Sequence, residues 1–291
     1  MASIAQVIPN DILHEIFFHF AKVHESLEVN ANKPGHFPWY LGHICSQWRT
    51  TVLAFVPRKL RVSSVFKLQR DAKMLRCVTN IVTFFLELNR GHQFDLNLIG
   101  SFCSPWRDKV VSRILELLVV ESAHWHHVTL NHICNCFAGL AHYQVKDHLL
   151  SLQSLWLQGR YIQCMPRSNP GNNFRNFFTN APSLTHVEVA SIASWDFEID
   201  LSNHSNVTYL YLGGSNMYPP VSFPQAINLN TLVVDWRHNG NLPYDRTITL
   251  PHLESCKLAN NGWLRYIRAP ALQNLCLYRI PATKTKIDDI M

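Results

Sequence analysis

The chain has 291 residues, of which 47% are hydrophobic and 16% charged, so it can bury a large core and is not an intrinsically disordered tail. The length fits about two structural units. Apolar stretches such as residues 114–120 are far shorter than the ~18 residues of a membrane span, and the N-terminus lacks the pattern of a secretory signal. We therefore expect a protein of the cytoplasm and/or nucleus with no membrane partner.

Basic residues are concentrated in one segment. The formal net charge is +6, and residues 58–76 contain seven lysines and arginines but a single aspartate, Asp71. Such a run can contact phosphates, but Phe66 is the only aromatic residue in it that could stack on bases. We interpret it as a solvated helix face or a connecting segment, and nucleic-acid binding is the third candidate function.

The cysteine pattern favours free thiols. Eight cysteines are scattered along the chain with no CxxC pair, which is typical of buried thiols in a reducing compartment rather than of a disulfide framework. The segment Asn206-Val-Thr208 matches the glycosylation acceptor pattern, but in a chain without a secretory signal we interpret it as turn chemistry.

Two amphipathic helices are predicted near the N-terminus. The first begins near Pro9 and Asp11, which suit a helix start, and its apolar residues recur at helical spacing at Ile8, Ile12, Leu13, Ile16, Phe17 and Phe20. Residues 22–38 are polar with Pro and Gly and predict a loop. The apolar stripe returns over residues 39–56, at Leu41, Ile44, Cys45, Trp48, Val52 and Phe55.

These two helices resemble the F-box motif. The resemblance lies in Ile8-Pro9-x-x-Ile12-Leu13-x-x-Ile16-Phe17, followed by Leu41-x-x-x-Cys45-x-x-Trp48-Arg49, and covers about residues 8–60. The long interval 22–38 is similar to that of the large F-box families of mushroom-forming fungi. Residues 56–60 replace the Leu-Trp pair expected after the second helix.

The resemblance implies docking on the Skp adaptor of Skp/cullin/F-box ubiquitin ligases. The adaptor-binding residues it implies are Pro9, Ile12, Leu13, Ile16, Phe17, Cys45, Trp48 and Arg49. The alternative is an ordinary helical hairpin that packs on its own domain.

A hydrophobic-x-x-hydrophobic-x-hydrophobic pattern occurs six times in the second half. Its copies are Leu152/Leu155/Leu157, Leu184/Val187/Val189, Val207/Leu210/Leu212, Leu229/Leu232/Val234, Leu253/Cys256/Leu258 and Leu272/Leu275/Leu277. Their starts are 32, 23, 22, 24 and 19 residues apart, close to leucine-rich repeats. Prolines 182, 251 and 270 introduce three copies, and the asparagine of the regular repeat is present only as Asn261. The pattern predicts an irregular leucine-rich-repeat solenoid with a parallel sheet.

Weaker patterns extend this array towards the N-terminus. Residues 94–99 and 126–130 predict strands and residues 110–121 predict a helix, so the array is expected to begin near residue 80. The chain stops 14 residues after Leu277 without a polar capping repeat, which is typical of a shortened family member with an exposed repeat end.

The open face of the predicted sheet is the candidate target-binding surface. Side chains alternate along a strand, so this face is expected to carry Trp156, His186, Glu188, Tyr209, Tyr211, Thr231, Val233, Asp235, Ser255, Lys257, Asn274 and Cys276. The candidate target-binding residues are Trp156, Glu188, Tyr209, Tyr211, Asp235 and Lys257, because aromatic residues most often anchor interfaces. The alternative is that they merely cover the sheet.

Metal, cofactor and catalytic chemistry are not expected. His124, His126, His127, His132, Cys134, Cys136, His142 and His148 form the densest group of potential ligands, but their spacing is not that of a zinc site and we expect packed or surface histidines. The chain has no phosphate-binding glycine motif and no serine nucleophile motif. We therefore predict neither a cofactor nor a catalytic residue.

Together these patterns predict an α/β protein with a short all-α F-box-like module followed by an irregular leucine-rich-repeat solenoid. The predicted parts are the module (residues 1–62), a basic connecting segment (63–80), a mixed helix and strand region (81–150) and the repeats (151–291). The predicted function is a noncatalytic substrate receptor that binds a Skp adaptor and a target protein. The alternative is a repeat scaffold without a ubiquitin-ligase role.

Overall fold

The computed structural model describes residues 8–23, 26–30, 33–34, 44–55, 58–63, 72–99, 108–131, 149–158, 178, 180–190, 199–200, 204–214, 221–222, 228–236, 247–259 and 261–278. They form a mixed α/β fold with a large, mostly parallel sheet and few helices, as the sequence predicts. Among the described helices, none has the length and apolar character that crossing a bilayer requires.

Eleven strands form the large sheet. They are β1 Leu27–Asn30, β2 Lys33–Pro34, β3 Lys59–Ser63, β4 Phe94–Ile99, β5 Trp125–Asn131, β6 Ser154–Gln158, β7 His186–Ala190, β9 Tyr209–Gly214, β11 Thr231–Trp236, β13 Ser255–Leu258 and β15 Asn274–Leu277. From β3 to β15 they lie side by side in chain order. All neighbours are parallel except β1 and β2.

Short strands form two further parallel pairs. They are β8 Ile199–Asp200 with β10 Val221–Ser222, and β12 Ile248–Thr249 with β14 Ile267–Arg268.

The pattern hydrophobics form two buried rows across the sheet. One row runs through Leu60, Leu96, Val128, Leu155, Val187, Leu210, Leu232, Cys256 and Leu275. The other row runs through Val62, Leu98, Leu130, Leu157, Val189, Leu212, Val234, Leu258 and Leu277. The sixteen residues ahead of β15 are at most 2% exposed, whereas Leu275 is 40% exposed. Alternation thus predicted the inner face correctly on β6, β7, β9, β11 and β13, whereas Leu275 of β15, which was also predicted to point inward, is exposed on the edge strand.

Within the part of the chain that the structure describes, four α-helices accompany the sheet: α1 Asn10–Val23, α2 Ser46–Ala54, α3 Ala72–Leu88 and α4 Asp108–Val120. α3 and α4 pack on each other, and their buried residues belong to the same core as the two strand rows. Phe85 of α3 meets Phe94 of β4 edge-on at 5.5 Å between ring centroids. The helix predicted over residues 110–121 and the two upstream strands are therefore confirmed.

A tight turn precedes each of five strands. The amide of the first pattern hydrophobic donates to the carbonyl three residues earlier, as in Leu184 to Ala181 (3.1 Å) and Leu272 to Ala269 (3.1 Å). Side chains then link successive turns. Ser183 Oγ donates to the carbonyl of Leu150 (2.7 Å), Asn206 Nδ2 to that of Pro182 (2.6 Å) and Asn228 Nδ2 to that of Ser205 (2.7 Å). We call these three bonds the turn row.

Three features near the N-terminus differ from the sequence prediction. Residues 22–38 are not all loop, because β1 pairs in parallel with β3 and places Leu27 in the core opposite Leu60. α2 begins at Ser46 rather than near residue 39, and residues 35–43 lie outside the described part. The basic segment starts inside the sheet as β3, so the predicted connecting segment 63–80 contains the end of β3 and the first half of α3.

The described cysteines are free, as predicted, but only Cys256 of the three is buried, whereas Cys45 is half-buried and Cys276 is exposed. The other five cysteine side chains lie outside the described residues.

Candidate functional site

The first candidate surface is the hairpin of α1 and α2. Its interior holds Leu13 and Phe17, which are fully buried. The Phe17 ring meets Trp48 edge-on at 5.6 Å and lies 6.5 Å from Phe55. Gln47 Nε2 donates to Asn10 Oδ1 at 2.7 Å. This hydrogen bond and the apolar interior together hold the two helices against each other.

An apolar stripe remains on the outside of α1. Ile12 is 49% exposed, Ile16 is half-buried and Phe20 is 37% exposed, and their spacing of four residues places them along one side of the helix. We call these three residues the α1 stripe. The exposed Pro9 precedes it. Phe18 is 52% exposed but lies about 120° around the helix axis from Ile12.

The residues implied by the F-box resemblance therefore divide into three groups. Pro9, Ile12, Ile16 and Arg49 reach the surface, whereas Leu13 and Phe17 form the hairpin interior. Cys45 and Trp48, the third group, are half-buried, and Ile44, which the resemblance does not include, is 44% exposed. A partner could contact the first group directly, while Leu13 and Phe17 would act by holding α1 against α2.

The second candidate surface is the outer face of the sheet, opposite the buried rows. Trp156 of β6, Glu188 of β7 and Tyr211 of β9 are register neighbours, and Lys257 lies in the same row two strands farther on. Trp156 is 39% exposed. All six predicted target-binding residues are half-buried or exposed on this face, so the structure brings them together on five strands.

His186 joins two of these residues. Its Nε2 lies 2.9 Å from Glu188 Oε1, and its ring stacks on Tyr209 with centroids 4.1 Å apart and planes 4° from parallel. Burial, followed by the charge of Glu188, raises the pKa of the Tyr209 phenol. Tyr209 is therefore uncharged at neutral pH, and the stack with His186 orients its ring on the outer face.

Tyr211 is held against Asp235 and Gly213. Burial raises the pKa of Tyr211, and the charge of Asp235 and its hydrogen bond with Tyr211 raise it further. A Cβ atom on Gly213 would lie 2.5 Å from the Tyr211 hydroxyl, so the ring occupies space that only glycine leaves open. These contacts fix the ring between two carboxylates, Glu188 and Asp235.

The β3–β5 end of the outer face carries charged and imidazole groups. Lys59 and Arg61 of β3 are exposed, and Lys59 lies opposite Asp95 of β4. Within the described residues, Asp95, His126 and His127 are the one group with three potential metal-ligand atoms close together, all within 4.8 Å of one another.

The sequence did not single out Asp95. The potential ligands weighed from the sequence, for which no metal was expected, were only residues close together in sequence, and of those His132, Cys134, Cys136, His142 and His148 lie outside the described part. His124 pairs instead with Glu121 at 3.1 Å. The alternation of residues 94–99 predicts that Asp95 points outward. It does not predict which strand lies next to β4.

Comparisons of the chain with protein-family models, curated proteins and solved structures find no match. Function must therefore be inferred from the residues of this chain and their arrangement.

Proposed function

We propose that the protein is the substrate-recognition receptor of a Skp/cullin/F-box ubiquitin ligase. The α1–α2 hairpin would be an F-box that binds the Skp adaptor, and the sheet would belong to an irregular leucine-rich-repeat solenoid that binds a target protein. The receptor contributes no catalytic group. It raises the local concentration of the target near the subunits that transfer ubiquitin.

The proposed binding to the Skp adaptor rests on the α1 stripe, which lies on a helix with the F-box-like residue pattern. An isolated pair of short helices gains stability mainly by burying its apolar faces. Here Leu13 and Phe17 already bury one face of α1. Ile12 nevertheless remains 49% exposed and Phe20 37% exposed. A groove on the adaptor would bury this second face.

The target half is supported by the side chains around Glu188. The flanking Trp156 and Tyr211 rings provide apolar and cation-attracting surface, and Glu188 and Asp235 provide negative charge. Aromatic faces next to carboxylates suit an arginine or lysine side chain, through cation–π contact and a charge-assisted hydrogen bond. The target we propose therefore presents a basic segment to the outer face.

A repeat scaffold without a ligase role is the second candidate. It is favoured by residues 56–60, where the sequence Val-Pro-Arg-Lys-Leu stands in place of the Leu-Trp pair expected after the second F-box helix. The outer face would bind its target in the same way in both cases.

Coexpression with a Skp adaptor and a quantitative pull-down test the adaptor half. The double variant Ile12→Ala/Phe20→Ala removes two members of the α1 stripe. Phe18→Ala is the matched control because it removes a ring that is even more exposed than Phe20, but from another side of α1. We expect at least about a tenfold loss of binding in the double variant and an unchanged Phe18→Ala protein. Absence of binding by the intact, folded chain would favour the scaffold.

Binding of fluorescent peptides to the chain tests the proposed target-binding surface. An arginine-rich peptide should bind the intact chain more tightly than a glutamate-rich peptide of equal length, with an affinity that falls as salt increases. Trp156→Ala and Glu188→Gln should each weaken this binding, whereas Glu116→Gln on α4, which pairs with Arg113 at 2.9 Å, should not. Equal effects of both glutamate substitutions would contradict the proposed surface.

A further inference from the structure

The β4–β5 pairing contains a bulge that turns two consecutive histidines to the same side. Phe94 pairs with Trp125 and Leu96 pairs with Val128, so His126 and His127 together face Asp95. Trp125 and Val128 are both buried, and the two histidines between them are half-buried and exposed on the outer face. Neighbouring strand residues normally point to opposite faces, and a bulge removes that restriction at the extra residue.

The three side chains already converge. His126 Nδ1 lies 3.4 Å from Asp95 Oδ1, and the centroids of the two imidazoles are 4.0 Å apart. One ligand atom from each residue lies within 4.8 Å of the other two. Ligands of a tetrahedral ion bound at about 2.1 Å are about 3.4 Å apart, so small side-chain rotations would complete the geometry.

A charged side chain lies next to this group. Lys59 of β3 is exposed and lies opposite Asp95 in the strand register, so a bound cation would lie beside its positive charge.

We propose that Asp95, His126 and His127 bind one divalent transition-metal ion, of which Zn²⁺ is the representative. Two imidazoles and one carboxylate are ligands that zinc accepts, and a site with three protein ligands keeps a position open for water. This inference departs from the sequence-based expectation of no metal, because that expectation considered only ligands close together in sequence. It does not depend on the proposed ligase function.

The test is a zinc titration of the chelator-treated, dialysed full chain, followed by calorimetry and by competition with a chromogenic chelator. We expect one zinc per chain at this site. Asp95→Asn and the double variant His126→Ala/His127→Ala should each bind it at least about tenfold more weakly. His124→Ala is the matched control because it removes a nearby histidine that pairs with Glu121 instead.

Spectroscopy separates this site from zinc held elsewhere on the chain. Binding should shift the imidazole nitrogen resonances of His126 and His127 and leave those of His124 in place, with circular dichroism showing that each variant is folded. No stoichiometric binding by the intact chain would overturn the proposal. Unchanged affinity in the double variant, or in Asp95→Asn, would also overturn the three-ligand site.

Discussion

His186 and Tyr209 form a parallel ring stack across β7 and β9, with centroids 4.1 Å apart and planes 4° from parallel. They are directly opposite in the register of the two strands. Such cross-strand pairs stabilise a sheet modestly. The stack also orients Tyr209 on the proposed target surface, since rotating its ring would break the contact with His186.

A double-mutant cycle on His186 and Tyr209 should reveal this contact. The coupling free energy between His186→Ala and Tyr209→Ala is expected to be about 0.5 kcal/mol, because the pair is half exposed. Urea unfolding of the four proteins measures it. A cycle of His186→Ala with Lys257→Ala is the control: three strand spacings, about 14 Å, separate those residues, so their effects should add. Additivity in both cycles would refute the contribution of the stack.

The turn row should contribute to stability. Asn206→Ala and Asn228→Ala each remove a side chain that donates to the preceding turn, at 2.6 and 2.7 Å. We expect each to lower the free energy of unfolding by about 1 kcal/mol, measured by urea denaturation. Ser205→Ala is the matched control because Ser205 accepts from Asn228 through its carbonyl, which the substitution retains. A loss in Ser205→Ala equal to that in Asn228→Ala would point to another cause.

Tyr211 should ionise above the ordinary tyrosine value of 10.0, because burial, Asp235, Glu188 and Tyr209 all raise its pKa. A raised pKa means that the folded state holds the phenol proton more tightly. The associated stabilisation is therefore complete below pH 10 and is lost as the pH rises through the folded pKa. NMR titration of ring-labelled tyrosine should show this high pKa.

Asp235→Asn should lower the pKa of Tyr211, because it removes the charge that raises it. Asp95→Asn is the control: Asp95 lies on the same face but on β4, four strand positions from β9, the strand of Tyr211. An unchanged Tyr211 pKa in Asp235→Asn would contradict the described contact.

Cysteine reactivity should follow burial. Burial raises the pKa of Cys256 to about 11, so only about 0.1% of this thiol is ionised at pH 8. Cys276 of the neighbouring strand is exposed. Iodoacetamide at pH 8 should label Cys276 at least about tenfold faster than Cys256, as measured by peptide mass spectrometry. Unfolding in guanidinium should remove the difference, and equal rates in the folded chain would contradict the described burial.

Alternation was a sufficient guide to the repeated strands. The pattern of β6, β7, β9, β11 and β13 correctly separated the buried rows from the outer face, because a strand that covers a core must alternate apolar and polar residues. In β1 the same alternation, Leu27-Glu28-Val29-Asn30, spans only four residues and was too short to indicate a strand. Leu27 and Val29 lie in a polar segment, and their strand forms through pairing with β3.

Helical spacing was a weaker guide within α1. Ile12 and Phe17 both fit an apolar helix face, but the sequence could not indicate which of them packs on α2. The structure buries Phe17 against Trp48 and leaves Ile12 exposed. The interior and the candidate adaptor surface of the hairpin are distinguished only by the packing of the second helix.

The sequence by itself determined the α/β class, the positions of the repeated strands and the outward position of Trp156, Glu188 and Tyr211, because these follow from local periodicity. The tertiary structure decided which strands are neighbours and where their register shifts. The bulge opposite Asp95 turns both His126 and His127 outward, and the turn row joins residues 23 to 33 positions apart. These contacts depend on the pairing of distant segments, which no local pattern of residues encodes.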